Sequence, residues 1–322
     1  MLHYKLMLFK FCSILILTLS AQTLFAQNNN EVNASSIIQL INNKQDVAFD
    51  NKTIIGDLDF TLIDSKVIVH SSLYQAVIKS AISFTNCEFK GKVLSTNVAK
   101  EISYQSVFMQ NLIFNNCIFT NKVDFQSATV YGNISFSGSN FKEIALFNSF
   151  YSHSKTSFFG QIVAEKDFNM QDALFVGSCD FFKSKFKSNV SFQGSRFDGA
   201  FNFSSAQCEM KADFSKVRCN NNSNFNYTVF NGIARFNQLR CLGIIEFVQV
   251  EFKNDAIFTN ALFYDICRFN EAKATANFDF SSTLFYRSAP VLDKIEITDP
   301  THFTPGSVLS HDSYITPQFN DK

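Results

Sequence analysis

The chain has 322 residues with 28 basic and 28 acidic side chains, and 40 of its residues are Phe against nine Tyr and no Trp. A balanced charge of this kind excludes a strongly basic nucleic-acid binder and gives no support to an acidic mimic of DNA. The Phe excess excludes an ordinary mixed core, in which Leu, Ile and Val share the interior.

Residues 1–26 read as a secretion signal. His3, Lys5 and Lys10 form a short basic start, and FCSILILTLSAQTLFA follows as an apolar stretch ending in small residues, with cleavage expected after Ala26. The unbroken apolar run is shorter than the ~20 residues of a membrane span. Cys12 precedes the apolar core instead of following it, which argues against lipid attachment. Cleavage would remove Lys5 and Lys10 and no acid, leaving 26 basic against 28 acidic residues, a net charge of −2. The expected location is therefore exported, periplasmic or extracellular, with no membrane span in the mature chain.

Residues 27–53 are expected to form a leader and N-terminal cap. NNNEVNASS is a flexible polar start, and ASSIIQLINN (34–43) has helical apolar spacing with Ser35 or Ser36 placed to cap it. TIIGDLDF (53–60) reads as the first strand-like segment. TNVAKEIS (96–103) breaks the later spacing and is expected to bulge out as a loop.

From Phe181 a strict repeat takes over. Phe181, Phe192, Phe203, Phe214, Phe225, Phe236, Phe247, Phe258, Phe269 and Phe280 recur every eleven residues without a miss. A second column lies five residues later: Phe186, Phe197, Cys208, Cys219, Phe230, Cys241, Phe252, Phe263, Ala274 and Phe285. Upstream, Phe114, Phe125, Phe136, Phe147 and Phe158 are assigned to the first column and Phe119, Val130, Phe141, Ser152 and Val163 to the second. This assignment puts a one-residue slip between Val163 and Phe181.

An eleven-residue period suits a right-handed helical supercoil in principle. The internal spacing argues against it, because five residues along a helix rotate by about 140° and would separate the two Phe columns. A long straight strand fails because odd spacings alternate faces. A chain that turns a corner about every five residues satisfies both columns, and that is a β-solenoid. Small residues two before the second column (Ala128, Ser139, Ser184, Ser195, Ala206, Thr228, Ala261, Ala272) fit a narrow interior beside large rings. Where a column position is small, a nearby Phe compensates: Phe150 for Ser152, Phe278 for Ala274, and Phe201 near Cys208.

In DFQSATVYGNISFSGSNF (124–141), SFQGSRFDGAFNF (191–203) and IFTNALFYDICRF (257–269) the pattern resembles the pentapeptide-repeat family in its Phe-centred form. The resemblance covers about residues 54–286. It implies an all-β, right-handed, four-sided β-helix, here with about 22 residues per coil and a short N-terminal helical cap. Roughly nine coils between Phe84 and Phe285 would make a rod on the order of 45 Å long. All four prolines lie at or beyond Pro290, so 287–322 is expected to be a C-terminal cap and tail, with LDKIEIT as a last capping strand.

Chemistry finds little purchase in this pattern. Inward positions are Phe, Cys, Ala, Val and Ser, while Lys187, Arg196, Asp198, Lys211, Lys216, Arg218 and Arg235 point outward with mixed signs. His70 lies among the early coils, His153 at a corner, and His302 and His311 in the tail near Asp299 and Asp312, with no demonstrated convergence on a metal. The seven cysteines after Ala26 include no CxxC motif. Cys219 and Cys241 stack one coil apart, where either a disulfide or two buried apolar side chains would fit, the second arrangement being favoured.

No catalytic, cofactor-binding or metal-binding residue is assigned, so no enzyme and no cofactor are expected. The expected function is an exported structural or protein-interaction module with an unknown protein or cell-envelope partner, without nucleic acid, and with room for end-to-end self-association. Alternatives are a DNA-mimicking topoisomerase binder, as the resemblance to gyrase-protecting relatives would suggest, and a polysaccharide-acting β-helix enzyme. The first would need an acidic surface and the second a cluster of converging acids and bases.

Overall fold

Each eleven-residue unit sends four side chains inward. Val190, Phe192, Ser195 and Phe197 are buried, and so are their successors Phe201, Phe203, Ala206 and Cys208. The chain must bend between these positions. Strands starting at Lys185, Val190, Arg196, Phe201 and Gln207 advance by five, six, five and six residues, which closes one square coil in 22.

In the computed structural model, which describes residues 30–299, 301 and 303–308, these short strands stack in parallel into four sheets. The sheets are named here by chain order within a coil. Face 1 contains Phe201–Asn202 and ten strands, face 2 contains Gln207–Cys208 and 12, face 3 contains Ala212–Asp213 and 11, and face 4 contains Arg218–Cys219 and a path of 13. Twelve rungs at the usual strand spacing give a rod about 50 Å long.

The six-residue side contains a tight turn. In Phe192–Gln193–Gly194–Ser195 the Ser195 N–H donates to the Phe192 carbonyl at 3.0 Å, and Gly194 has φ +74°. Positive φ at the third position is type II geometry, for which Gly is the usual choice. Most coils use other residues there, including Lys183, Ser205, Lys216, Tyr227 and Gln238. Every second corner thus has a fixed left-handed residue, and the 22-residue coil follows from that alternation.

The Phe columns form the expected ring stacks. Phe214, Phe236, Phe258 and Phe280 follow one another at 5.1, 4.6 and 4.8 Å with near-parallel planes. Phe225, Phe247 and Phe269 do the same at 4.9 and 4.7 Å on the opposite wall. Rings on the two walls meet edge to face, as Phe247 and Phe258 do at 5.5 Å and 88°, the arrangement that aromatic quadrupoles favour. The stack tilts near Phe201, whose ring lies 4.1 Å from Phe197, and there Phe181 and Phe203 are 6.1 Å apart at 48°. Phe150 and Phe278 are fully buried beside the small residues they compensate.

Buried hydroxyls join neighbouring coils. Ser184 Oγ donates to the Phe159 carbonyl at 2.9 Å, Ser139 Oγ to that of Phe114 at 2.7 Å, and Thr228 Oγ1 to that of Phe203 at 2.8 Å. This explains why the small inward position takes Ser and Thr as readily as Ala: a buried hydroxyl is tolerated when it is paired.

Several sequence expectations need correction. The register slip lies between Ser152 and Ser157, not between Val163 and Phe181. Ser152 pairs with Val130 at the usual 22 residues, whereas Ser157 already pairs with Ile134 at 23. The first-column residue is consequently Phe159, fully buried, while Phe158 is 44% exposed. By the same shift, Ala164 replaces Val163 as the partner of Phe141.

The helix α1 spans Ala34–Asn42 and buries Ala34, Ile37, Ile38 and Ile41 over the first coil. Asn33 is its N-cap, with no side-chain capping bond, so neither Ser35 nor Ser36 caps it. The reason is that Glu31–Asn33 is already a strand paired with Thr53–Ile55, and the helix starts directly from it. Strands Glu31–Asn33 and Val47–Asp50 both precede TIIGDLDF.

Residues 96–103 form part of a β-hairpin instead of a loop. Thr96–Ala99 runs antiparallel to Ile102–Phe108 across Lys100 and Glu101, both with positive φ. A second hairpin, Lys66–His70 with Leu73–Ile78, lies alongside, and its inner strand pairs in parallel with Ser103–Phe108. Together they extend face 4 sideways into a small wing.

The prolines do not end the ladder. Glu296–Ile297, Phe303–Thr304 and Ser307–Val308 continue faces 2, 3 and 4, with Val291 bridging to Arg268 on face 1. Pro290 and Pro305 fall just outside strands, where no ladder donor is needed. The expected signal segment 1–26 lies outside the described residues, as do His302, His311 and Asp312.

Candidate interaction surfaces

With the interior committed to Phe, only the outward rows are free to vary. On face 2 they alternate in charge and neutralise one another. Lys142 Nζ reaches Glu165 at 2.6 Å and Lys187 reaches the same carboxylate at 3.5 Å. Lys185 pairs with Glu209, Lys253 with Glu251, and Lys273 with Glu296. The Lys142 ammonium, helped by Lys187, holds the Glu165 carboxyl below the usual carboxylate range. A shallow groove of about 590 Å³ on this side is lined by Tyr227, Gln249, Glu271 and Lys294 among others, again of both signs.

Face 4 is arranged differently. Its outward row reads Thr129, Tyr151, Leu174, Arg196, Arg218, Arg240, Leu262 and Leu284, each in register with the next. Arg196 Nε donates to Asp198 Oδ1 at 2.6 Å. Arg287 pairs with Asp265 at the edge of the face, just beyond Tyr264 and Tyr286, and among the described residues no carboxylate lies within ion-pair distance of Arg218 or Arg240. The row beside it carries Tyr131, His153, Val176, Asp198, Asn220, Leu242, Tyr264 and Tyr286. Tyr264 and Tyr286 stack at 4.4 Å and 6°, and His153 packs between Tyr131 and Tyr151 at 4.3 and 4.2 Å. His153 is thus half-buried, less exposed than a corner residue was expected to be.

Face 3 carries a partly buried carboxylate. Burial pushes the Asp213 carboxyl up, but hydrogen bonds from Ser215 and the ammonium of Lys211 at 3.1 Å outweigh it and hold the group below its ordinary range.

All seven cysteines among the described residues are buried free thiols, Cys219 and Cys241 included. Cys219 lies directly in register with Cys241. Burial pushes the Cys117 thiol up to about 12 and those of Cys179, Cys241 and Cys267 well above the usual value, so these thiols are protonated and act as small apolar fillers. The core residues Phe181 to Phe280 are all buried within the coil and touch one another, not solvent. His70 meets Ser72 at 3.1 Å, and Asp299 accepts from Thr301. Among the described residues, no group of three His, Cys, Asp or Glu side chains is placed to hold a metal, and no helix is long and apolar enough to cross a membrane.

Two surface features escaped the sequence reading. One is the wing, whose outer strand exposes Val67, Ile68 and Val69. The other is the arginine row, hidden because an eleven-residue reading interleaves face 4 with the opposite face 2. At that spacing the outward residues run Arg196, Gln207, Arg218, Val229, Arg240, Glu251, and only the 22-residue coil separates them.

No curated protein and no solved structure matches the chain significantly. A family model described as pentapeptide repeats does match, in nine copies, with residues 104–149 aligned. Its repeat is the same five-residue side that builds the square coil around Phe114, Phe125 and Phe136, so the chain carries repeats of the pentapeptide-repeat family.

Proposed function

We propose that this chain is an exported, non-catalytic module that binds a partner of the cell envelope through its flat outer faces. The observation that carries this reading is the division of labour in each coil. Inward positions are filled by rings and small side chains, while the charged side chains of faces 2 and 4 lie on the outside of the sheets. Regular flat faces suit extended contact, whereas catalysis calls for polar groups converging in a concave site. The pentapeptide-repeat solenoid supports a structural or protein-interaction role on the same grounds.

Two measurements test the reading. Intact mass of the protein recovered from source-cell envelope should start at Gln27, and retention of residues 1–26 would contradict export. Immobilised chain should capture a saturable partner from envelope extract, and capture should fall when one face is altered. Specific retention of a cytosolic topoisomerase, or no retention at all, would contradict it.

A further inference from the structure

We propose that face 4 is a binding site for an acidic polysaccharide that lies along the rod axis. This rests on the surface-binding reading above and names the chemistry of one partner. Three consecutive rungs present Arg196, Arg218 and Arg240 from one flat sheet, about 4.8 Å apart at normal strand spacing. Like charges stacked directly across a ladder are unfavourable, and here only Arg196 has a carboxylate of its own, Asp198. Lys216, exposed at the adjoining corner, adds a fourth cation with no ion-pair partner among the described residues. A linear partner carrying carboxylates at similar intervals would neutralise the row, and the planar guanidinium matches a carboxylate with two parallel hydrogen bonds.

The next rungs define the uncharged part of the partner. Leu262 and Leu284 continue the arginine row, and the stacked Tyr264 and Tyr286 flank it. Exposed aromatic rings beside aliphatic side chains offer a flat apolar platform with polar tips, against which the C–H face of a sugar ring packs. The site is a sheet surface and not a cavity, so it fits an extended polymer better than a small molecule. Single-stranded nucleic acid also combines negative charge with stacking faces. The balanced net charge gives little long-range attraction to any polyanion, and the Tyr264–Tyr286 pair lies beyond the arginine rungs instead of being interleaved with them as stacking of successive bases requires.

The test measures binding of the full chain to polygalacturonate, neutral dextran and a single-stranded DNA oligomer at low and moderate salt. The expected result is binding to polygalacturonate that weakens with salt and exceeds binding to both other probes. R196Q/R218Q/R240Q should bind at least tenfold more weakly, and R218Q alone several-fold more weakly if the triple variant fails to fold. K142Q/K187Q/K253Q, which removes an equal charge from face 2, should bind as the parent does. No binding to polygalacturonate, an equal loss from both triple variants, or tighter binding of DNA would overturn the proposal. If polygalacturonate fails while the parent still captures an envelope partner, only the polysaccharide assignment falls. If both fail, the surface-binding reading falls with it.

Discussion

Faces 2 and 4 are opposite walls of one square coil, built from the same two-residue strands in the same parallel register. Their inward rows are interchangeable, since Phe230 and Phe252 on one correspond to Phe263 and Phe285 on the other. Outwardly they diverge. Face 2 neutralises its own charge within each pair of coils, whereas face 4 gathers unpaired arginines beside leucines and tyrosines. Both walls obey identical backbone demands, so the fold does not require the difference. The contrast teaches where selection for function can act in such a rod: on rows that the interior leaves free.

The largest effect should come from the part the two faces share. Phe278 is fully buried and lies 4.7 Å from Phe280 and 5.7 Å from Phe252, filling the space left by Ala274. Phe278→Ala should cost about 3–5 kcal/mol in denaturant unfolding. A loss below about 0.5 kcal/mol, typical of surface positions, would refute the volume swap. Because neighbouring coils are coupled only to one another, the damage should be greatest in the C-terminal coils, visible as lost amide protection there.

Ser184→Ala asks whether the buried hydroxyls matter beyond filling space. It removes the bond to the Phe159 carbonyl and should destabilise by about 0.5–1.5 kcal/mol. No measurable change would mean that Ser and Ala are equivalent at this position.

Smaller effects separate the two faces. Arg218→Glu places an acid between Arg196 and Arg240 and should stabilise the rod by about 0.2–1 kcal/mol. Glu165→Gln on face 2 removes a carboxylate shared by Lys142 and Lys187 and should destabilise by a similar amount, screened by salt. Equal signs for the two substitutions would erase the contrast. Acid supplies a further check on face 3. The Asp213 carboxyl is held below its ordinary range, so its contribution is present above the unfolded value and is lost as pH falls through the folded one. Asp213→Asn should therefore make thermal stability less sensitive to pH on the acid side of the ordinary carboxylate range.

Much of the interior was legible because burial imposes a period that no surface pressure disturbs, as the unbroken column from Phe181 to Phe280 shows. The corners were less so. Left-handed turn positions are held by Lys183, Lys216, Tyr227 and Gln249, none of which signals positive φ, because the ladder on either side fixes the backbone. At Phe158 and Phe159 two identical neighbours compete, and only the register of the adjoining coil decides which is buried. The wing was missed since hairpins inserted at a corner interrupt the period without replacing it. The arginine row depended on knowing that two repeats, not one, return the chain to the same wall.

The central claim is that residues 22 apart occupy successive rungs of one wall. Spin labels placed at Leu174 and Leu284, five rungs apart on face 4, test it directly through a dipolar distance measurement, since the native thiols among the described residues are all buried. The solenoid predicts a backbone separation of about 24 Å. A continuous helix over the same 110 residues would place the labels about 165 Å apart, and a separation far beyond 24 Å would contradict the account.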